Sequence, residues 1–393
     1  MPSPNVLALQ NSPAGRLEPI GSGPYANELA FVPSPLPREL PLSVNLVYAL
    51  DEANRAVGTL VGVAETLPNP RLLVDPLMRR EAVLSSRIEG TVSSISDLFE
   101  YEAHGQPRGD VVEVLNYLRA LERSLHLMKE ENLPVSLRLM NAAHSVLMQH
   151  GVRGHNLQPG AFRKEQVWIG EPGTPIQQAQ FVPPPAHLLR DLIYDVEEFA
   201  NDNSLLIPPL VMCGMLHYQF ETIHPYEDGN GRIGRLLIIL FLYAREVLPA
   251  PLLYLSPYFE RDRGRYYDGL YTMSRTGNWE QWLLYFLEGV RVQARDTLAR
   301  SRRIRDLHDR YVGLLRELRA PANDLRMLDE LFHRPVTTYP STAAALGITN
   351  AGARNVVDRL VKAGILQETS GAWPRLFVAG ELLDVLREET LLS

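Results

Sequence analysis

The sequence contains almost no cysteine and no long apolar run. Cys213 is the only cysteine in 393 residues, so disulfides within the chain are excluded and a reducing compartment is indicated. The longest apolar run, residues 236–244, reaches about half the length that a membrane-spanning helix needs. The N-terminal residues lack the basic segment and apolar core of a secretory signal. We therefore expect a cytoplasmic protein that does not enter a membrane.

An excess of one charge is missing as well. The chain has 39 Lys and Arg against 46 Asp and Glu, a formal net charge of −7 and a pI of about 5.9. This balance gives no global sign of binding to nucleic acid or to an anionic membrane. The apolar fraction of 45% is that of an ordinary globular protein, and the length predicts about two or three domains.

The residues that can carry chemistry are concentrated in residues 224–235, which read HPYEDGNGRIGR. The glycines allow a tight turn, and the turn leads into a helix N-terminus, where unpaired N–H groups and the helix dipole attract an anion. Arg232 and Arg235 lie three residues apart and therefore share a helix face. Asp228 is a hard oxygen ligand that suits Mg²⁺, and His224 is a candidate general base. Together they predict transfer of a phosphorus-containing group from a nucleotide.

Three other interpretations of this segment are open to the sequence. Residues 229–234 satisfy the dinucleotide pattern GxGxxG, but that pattern should follow a buried strand, and here a helix-like run precedes it. A zinc site could use His217 and His224, although no HExxH or cysteine cluster supports it. The third interpretation is a loop capped by glycine and followed by two solvated arginines.

The segment resembles the signature of the Fic (filamentation induced by cAMP) family, HPFx(D/E)GNGRxxR, with Tyr226 in place of the usual Phe. Fic proteins with the complete motif are typically protein adenylyltransferases, which move AMP from ATP to a hydroxyl of a protein and release pyrophosphate. The resemblance implies His224 as the base for that hydroxyl and Asp228 as the Mg²⁺ ligand. Related Doc-type kinases lack the Gly-Asn-Gly-Arg arrangement, so kinase activity is disfavoured.

The resemblance also implies a nucleotide site. The amides of residues 229–231 and the Asn230 side chain would hold the α- and β-phosphates, Arg232 would serve the β-phosphate, and Arg235 the γ-phosphate. Tyr266 and Tyr267 offer an aromatic face to adenine, with one of the two expected in the core. The predicted nucleotide-binding residues are Gly229, Asn230, Gly231, Arg232, Ile233, Gly234, Arg235, Tyr266 and Tyr267.

A second motif lies near residue 90. Ser85-Ser-Arg-Ile-Glu89-Gly90 resembles the Fic inhibitory motif (S/T)xxxE(G/N), at the end of a predicted helix. A carboxylate at a helix C-terminus opposes the helix dipole by roughly 0.3–1 kcal/mol, which suggests a cationic partner elsewhere. The resemblance implies that Glu89 pairs with Arg235 and blocks productive placement of the γ-phosphate. The alternative is a helix end capped by Gly90 with no regulatory role.

Two β-prone stretches, residues 166–169 and 178–182, flank a Gly/Pro turn and predict an irregular β-hairpin. In Fic proteins such a flap lies over the active site and holds the target segment by strand addition. We therefore expect a protein target to bind through residues 166–182. A hairpin that only covers the core is the alternative.

The last 70 residues predict a helix-turn-helix at 341–363 followed by a hairpin, with its turn at 370–373, which together resemble a winged helix. Residues 325–393 contain seven Lys and Arg and eight Asp and Glu, so the basic footprint expected of a DNA-binding unit is missing. A role in protein contact or assembly is slightly favoured over DNA binding through Arg354, Arg359 and Lys362. The arginines of the preceding charged helix are predicted to form a solvated face: Arg300, Arg302, Arg303 and Arg305.

The predicted fold is mainly α: a Fic-type helical core with a small β-hairpin flap, plus a C-terminal winged helix. The predicted divisions are an extended, partly ordered arm at 1–40, a helical region with the inhibitory helix at 41–110, a catalytic core at 111–290, a connecting helix at 291–323 and the winged helix at 324–393. The predicted substrates are ATP with Mg²⁺ and a Ser, Thr or Tyr of a protein, the chain itself included. Removal of AMP from a modified protein and a nucleotide-sensing regulator are alternatives, and homo-oligomerisation is left open.

Overall fold

The structure is a computed structural model that describes residues 3–65, 71–105, 110–149, 158–369 and 375–388. It divides into two units that interleave along the chain. Unit 1 comprises residues 1–57, 116–248 and 258–291, and unit 2 comprises residues 58–115, 249–257 and 292–393. These units are discontinuous in sequence, so they do not correspond one to one with the five continuous domains predicted from the sequence. The five domain boundaries stay a prediction.

Helices account for most of the described residues, which confirms the predicted mainly α class. In chain order the helices are α1 Pro4–Leu7, α2 Val44–Glu65, α3 Arg71–Ile88, α4 Ile95–His104, α5 Val111–Glu130, α6 Leu137–Leu147, α7 Leu189–Asn201, α8 Pro209–Ile223, α9 Asn230–Ala244, α10 Ser256–Arg261, α11 Arg263–Thr276, α12 Trp279–Glu317, α13 Ala322–His333, α14 Tyr339–Leu346, α15 Asn350–Lys362 and α16 Gly380–Arg387. The strands are β1 Gly15–Pro19, β2 Leu29–Pro33, β3 Val336–Thr337, β4 Gln367–Glu368 and β5 Phe377–Val378. In the part of the chain that the structure describes, none of these helices is long and apolar enough to span a membrane.

Helices α8 and α9 form the centre of unit 1. Both are apolar on nearly every face, which is the pattern of a helix buried on all sides. Gly214 lets the start of α12 approach α8, because a Cβ there would lie 2.9 Å from Leu283 Cδ2. The Trp282 indole donates a hydrogen bond to the Gly214 carbonyl at 2.8 Å, so the same close approach also satisfies a buried donor.

Within residues 3–40 the structure contains a paired hairpin, where the sequence predicts an extended, partly ordered arm at 1–40. Strands β1 and β2 pair antiparallel over five residues each, from Gly15 opposite Pro33 to Pro19 opposite Leu29. The Pro, Gly and Ser content suggested disorder, but Val6, Leu9 and Phe31 are buried. Burial of these side chains offsets the conformational entropy of ordering the segment.

The predicted flap, residues 166–182, pairs antiparallel at one bridge, between Ile169 and Phe181, instead of along two full strands. The Ile169 amide donates to the Phe181 carbonyl at 2.8 Å. Next to the bridge, the Gln166 side-chain amide donates to the Val167 and Pro183 carbonyls at 2.9 Å each. A side chain has therefore replaced part of the strand ladder, which accounts for the irregular hairpin.

The N-terminal residues, including the β1–β2 hairpin, pack against this flap. The Phe31 amide donates to the Val182 carbonyl at 2.9 Å, and the Ser3 hydroxyl donates to the Ala179 carbonyl at 2.6 Å. Tyr25 meets Trp168 edge to face, with ring centroids 5.2 Å apart. Side chains from both segments share one apolar cluster, which contains Val6, Ile20, Ala30, Ile176, Ala179 and Val182.

The C-terminal residues of unit 2 contain the helices expected for a helix-turn-helix, α14 and α15, after α13. A three-stranded antiparallel sheet in the order β3-β5-β4 accompanies them. The Thr338 hydroxyl begins α14 with a capping box, and Gly347 (φ 67°) ends it. The hairpin turn predicted at residues 370–373 lies outside the described residues.

Two of the three basic residues considered for DNA contact, Arg354 and Arg359, make contacts within this region. Arg359 forms a two-pronged ion pair with Asp324, with contacts of 2.7 and 2.5 Å, and Asp324 is fully buried. The Arg354 guanidinium lies over the Tyr339 ring, 5.1 Å from its centroid. These intramolecular contacts weigh against DNA binding by α15.

Candidate active site

Helix α8 ends at Ile223, and the next residue, His224, begins the motif loop, residues 224–229. His224 has φ 51° and ψ 61°, the left-handed region, where its N–H closes the helix on the Phe220 carbonyl at 3.0 Å. A non-glycine residue there is held against a local cost of about 1–3 kcal/mol. Such strain is typical of residues whose placement serves a site.

The hydrogen bonding of the His224 ring indicates which ring nitrogen carries the proton. Its Nδ1 lies 3.3 Å from the Glu221 carbonyl oxygen, which can only accept a hydrogen bond. The proton of the neutral ring is therefore assigned to Nδ1, and the lone pair of the ring is on Nε2. This tautomer is the one that can accept a proton from a hydroxyl at Nε2.

The Asn230 side chain makes two hydrogen bonds across the motif loop. Its side-chain oxygen accepts from the Tyr226 amide, and its side-chain nitrogen donates to the Tyr226 carbonyl, each at 2.8 Å. Asn230 is 1% exposed. Both polar atoms of the side chain thus shape the loop, and the predicted role of Asn230 in holding phosphate stays a prediction.

Gly229 is required where the loop meets α9. Its φ is 79°, and a Cβ would lie 3.1 Å from Met148 Sδ and 3.2 Å from Leu147 Cδ2. As the residue before α9, Gly229 brings no side chain to cap the first amides of the helix. A helix N-terminus of this kind is an anion-binding position.

Arg232 and Arg235 are buried beside this helix N-terminus, each with 2% of the residue exposed. The interpretation of the two arginines as solvated is therefore wrong. The Arg232 Nη2 lies 3.5 Å from Asp228 Oδ1. Two guanidiniums beside a helix N-terminus form a cationic position that suits the phosphates of a nucleotide.

Asp228 lies at the exposed rim of the loop, with 41% of its side chain accessible. Its Oδ1 accepts from the Gly229 amide at 2.5 Å. Within the described ranges, no three His, Cys, Asp or Glu side chains cluster to hold a metal ion by themselves. One accessible carboxylate fits Mg²⁺, which is usually held by one or two carboxylates together with phosphate oxygens and water.

His144 of α6 supports the loop, and sequence reasoning missed it. Its ring stacks on Tyr226 with centroids 3.8 Å apart and 6° between planes. The Gly160 amide donates to Nδ1 at 2.8 Å, so Nε2 carries the proton and donates to the Asp228 carbonyl at 3.0 Å. Burial lowers the pKa of His144 to about 4, which keeps the ring neutral near pH 7.

Tyr226 gave the one sequence signal for this support. A buried tyrosine hydroxyl needs a hydrogen-bond partner, whereas the usual Phe does not. The Tyr226 hydroxyl donates to Asn141 Oδ1 at 2.8 Å, and Asn141 is one helical turn before His144. The motif loop and α6 are therefore linked at two consecutive turns of the helix.

The two tyrosines predicted to face adenine have different environments. Tyr266 is fully buried, and its hydroxyl donates to His217 Nε2 at 2.8 Å, because His217 Nδ1 donates to the Gly234 carbonyl at 3.1 Å. Burial and the nearby Arg235 lower the pKa of His217 to about 3. Both ring nitrogens of His217 are thus engaged, so the zinc interpretation is wrong. Tyr266 belongs to the core, and Tyr267, 44% exposed, is the one that can meet a ligand.

Ile233 and Gly234 lie in the packing between helices, and their predicted part in nucleotide binding stays a prediction. Ile233 is 1% exposed. A Cβ on Gly234 would lie 2.1 Å from Glu221 Oε1, so glycine is needed for the contact between α8 and α9. The dinucleotide interpretation of this Gly pattern is also wrong, because helix α8 and not a strand precedes it.

The second motif lies in unit 2 at the end of α3. Ser85 is fully buried, α3 ends at Ile88, and the Glu89 amide donates to the Ser86 carbonyl at 3.0 Å. Gly90 has φ 92°, the conformation that favours glycine after a helix. The pairing of Glu89 with Arg235 stays a prediction.

Comparison with known families decides the assignment of the central segment. Residues 47–126 match the N-terminal region of the Fic/DOC family, and residues 134–242 match the Fic/DOC family itself. The second match contains α8, the motif loop and most of α9. The chain carries a Fic domain.

Two relatives of the Fic domain are named protein adenylyltransferases. A probable protein adenylyltransferase of Aquifex aeolicus is 30% identical over 181 residues, 44% of this chain and 51% of the relative. The protein adenylyltransferase Fic of Aedes aegypti is 33% identical over 122 residues, 30% of this chain and 21% of the relative. The chain therefore spans about half or less of the length of these relatives.

Solved structures support the fold of the Fic domain. A Fic family protein of Desulfovibrio desulfuricans, 18% identical, has a TM-score of 0.56 over 86% of this chain and 97% of that one. A Fic-domain signaling protein of Bacteroides thetaiotaomicron, 17% identical, has a TM-score of 0.50 over 65% of this chain and 96% of that one. At these identities the likeness shows the fold alone, and it agrees with the predicted Fic-type helical core.

Proposed function

We propose that this Fic domain is a protein adenylyltransferase that moves AMP from ATP to the hydroxyl of a Ser, Thr or Tyr, in a target protein or in the chain itself. The observation that carries the proposal is the pairing of a base with a polyphosphate site on one loop. His224 lies at one end of the motif loop, and the N-terminus of α9 with the buried Arg232 and Arg235 lies at the other. The names of the relatives agree with this chemistry.

In the proposed reaction, each bond change and proton transfer has an acceptor. The target hydroxyl oxygen forms a bond to the α-phosphorus of ATP while the bond from that phosphorus to the bridging oxygen of the β-phosphate breaks. His224 Nε2 accepts the hydroxyl proton, and pyrophosphate leaves with the bond electrons. The helix N-terminus, Arg232 and Arg235 would stabilise the negative charge that develops on the phosphates.

Asp228 is the residue that would hold a divalent cation, and Mg²⁺ is the ion its single accessible carboxylate suits. When bound, the ion would neutralise charge on the phosphate oxygens. Asp228 itself is oriented by two contacts, the Gly229 amide on its carboxylate and His144 on its carbonyl. These contacts prepare the carboxylate before any ligand arrives.

Two further parts of the proposal concern the target and the restraint of activity. The flap, residues 166–182, would receive an extended segment of the target by strand addition. Glu89 would restrain the enzyme by pairing with Arg235, since a carboxylate next to a helix C-terminus gains from a cationic partner. A cytoplasmic location is also proposed, on the scarcity of cysteine.

The test is incubation of the full chain with Mg²⁺ and ATP that is radiolabelled at either the α- or the γ-phosphate. We expect label on protein from α-labelled ATP only, because AMP is transferred. The control is His224→Asn, which removes the base but tolerates the left-handed backbone of this position. It should bind ATP and lose roughly 10²–10⁴-fold in transfer rate. Label from γ-labelled ATP would instead indicate a kinase, and no label from either would reject group transfer.

A further inference from the structure

Arg163 connects the flap to the catalytic loop. Its backbone amide donates to the Pro225 carbonyl at 3.0 Å, and its Nε donates to the His224 carbonyl at 2.9 Å. Its Nη2 donates to the Pro184 carbonyl at 2.5 Å and its Nη1 to the Glu165 carbonyl at 3.3 Å. Glu165 and Pro184 lie just before and just after the flap, so one side chain joins both of its ends to the base.

The chemistry of this junction needs a guanidinium. Arg163 is 3% exposed, and its planar head donates in three directions to three separate carbonyls. A lysine ammonium on its flexible stem does not reproduce that fork. The cation also lies at the C-terminus of α8, where positive charge is favoured by the helix dipole.

The same contacts hold the strained backbone of the base. His224 has φ 51°, and Arg163 bonds the carbonyl of His224 and that of the next residue, Pro225. A residue in this region keeps its conformation only when its surroundings fix it. Arg163 therefore constrains where the His224 ring points as well as where the flap begins and ends.

We propose that Arg163 is a positioning residue that sets the flap at a defined distance from His224, and so aligns a hydroxyl presented on the flap with the base. The inference rests on the proposed function, because it assigns the flap to the protein substrate. The proposal predicts different effects on transfer to protein and on nucleotide binding. Loss of the junction impairs transfer to protein and leaves the phosphate site at the start of α9 unchanged.

The matched pair of variants is Arg163→Lys and Arg245→Lys. Arg245 also donates from one guanidinium to backbone carbonyls, those of Ala200 and Asp202, at 3.0 and 2.9 Å. It follows the last residue of α9, so it lies about 20 Å along the helix from the motif loop. Arg245→Lys therefore removes the same kind of contact away from the site.

The first measurement compares self-labelling by α-labelled ATP with the affinity for a non-hydrolysable ATP analogue, both with Mg²⁺. For Arg163→Lys we expect the initial labelling rate to fall roughly 10- to 100-fold, since a misplacement of about 1 Å can cost on the order of 10²-fold. Affinity for the analogue should stay within about twofold of the wild-type value. Arg245→Lys should leave both values within about twofold. Equal labelling by Arg163→Lys and wild type would overturn the proposal.

The second measurement is hydrogen exchange, and it does not depend on activity. In Arg163→Lys we expect faster exchange at the flap amides of Ile169, Gln180 and Phe181, which are bonded across the hairpin, with unchanged protection in α9. A purely structural loss would lower protection throughout unit 1, and that outcome or unchanged flap exchange rejects the positioning role. If the wild type transfers no label, the proposed function fails, and the exchange data still decide whether Arg163 holds the flap.

Discussion

Asn230 and Tyr226 exchange two hydrogen bonds across the motif loop, from the Tyr226 amide to Asn230 Oδ1 and from Asn230 Nδ2 to the Tyr226 carbonyl, each at 2.8 Å. The pair links the first turn of α9 to the middle of the loop. Its geometry explains why an asparagine, with one donor and one acceptor in the same plane, stands between the two glycines. The role is to shape the loop that presents its amides.

A change of Asn230 to Asp should therefore destabilise the protein as well as impair transfer. The carboxylate keeps the acceptor for the Tyr226 amide but leaves the buried Tyr226 carbonyl without its donor, at a cost of about 1–3 kcal/mol. We expect that loss in the free energy of urea unfolding and weaker binding of an ATP analogue. The control is Asn203→Asp, because Asn203 is exposed and its side-chain oxygen accepts a hydrogen bond from Arg245. An unchanged free energy of unfolding for Asn230→Asp would contradict a structural role for the hydrogen bonds between Asn230 and Tyr226.

The metal prediction concerns Asp228. Asp228→Asn keeps an oxygen that can accept from the Gly229 amide, but removes the charge that attracts Mg²⁺. We expect the Mg²⁺ concentration that half-saturates binding of the ATP analogue to rise at least about tenfold. Calorimetric titration of Mg²⁺ in the presence of the analogue measures this directly. A superimposable titration curve would place the metal ligand elsewhere in the chain.

The regulatory prediction concerns Glu89 and Arg235. Replacing Glu89 by Gly should raise self-labelling and target labelling, because Arg235 is then available to the γ-phosphate. The cost in stability should be small, about 1 kcal/mol for a flexible glycine relative to Ala.

Arg235→Met, alone or with Glu89→Gly, should not be activated, since the phosphate partner is missing. Initial rates of AMP incorporation for the four proteins at equal Mg·ATP test the scheme. Reduced or equal labelling by a folded Glu89→Gly protein would refute the inhibitory role.

The acid stability of the protein should depend on His217. Burial and Arg235 lower its pKa from 6.5 to about 3, so between these values the unfolded chain binds a proton that the folded protein does not. The stabilisation is complete above pH 6.5 and is lost as the pH falls, by about 1.4 kcal/mol per pH unit for this residue.

His217→Gln, which does not titrate, should show a correspondingly shallower loss of unfolding free energy between pH 6 and 4, measured by urea denaturation. The shared contributions of the other groups cancel when the two proteins are compared. Parallel pH profiles for the two proteins would show that His217 is already protonated in the fold.

The chemistry of the motif could be predicted from the sequence because its parts are contiguous. His224, Asp228 and Arg235 lie within twelve residues, so the turn and the helix that follows bring them together with no knowledge of the tertiary structure. Tyr266 and Tyr267 show the limit of this reasoning. One of the two was expected in the core, but the sequence did not show which, and the structure places Tyr266 there with its hydroxyl bonded to His217.

Contacts between distant segments could not be predicted. His144 and Arg163 reach the motif loop across 84 and 61 residues, and no local pattern marks either residue. For Arg300 the local pattern gave the wrong prediction, because a run of arginines on a long helix indicated a solvated face. The structure buries its guanidinium completely, where it pairs with Asp296 at 2.8 Å and donates to the Val385 carbonyl. A single sequence does not show which cation of a charged helix finds a partner.

The hairpin of β1 and β2 has a practical consequence for taking this protein apart. Because Phe31 and Ser3 donate hydrogen bonds to the flap, a fragment that starts near residue 41 would expose the apolar cluster that the two segments share. Such a fragment would retain the whole motif of residues 224–235, but its flap would lack the side chains that pack against it. For the same reason, a fragment meant to keep the flap in its native conformation has to include the residues from Ser3 onward.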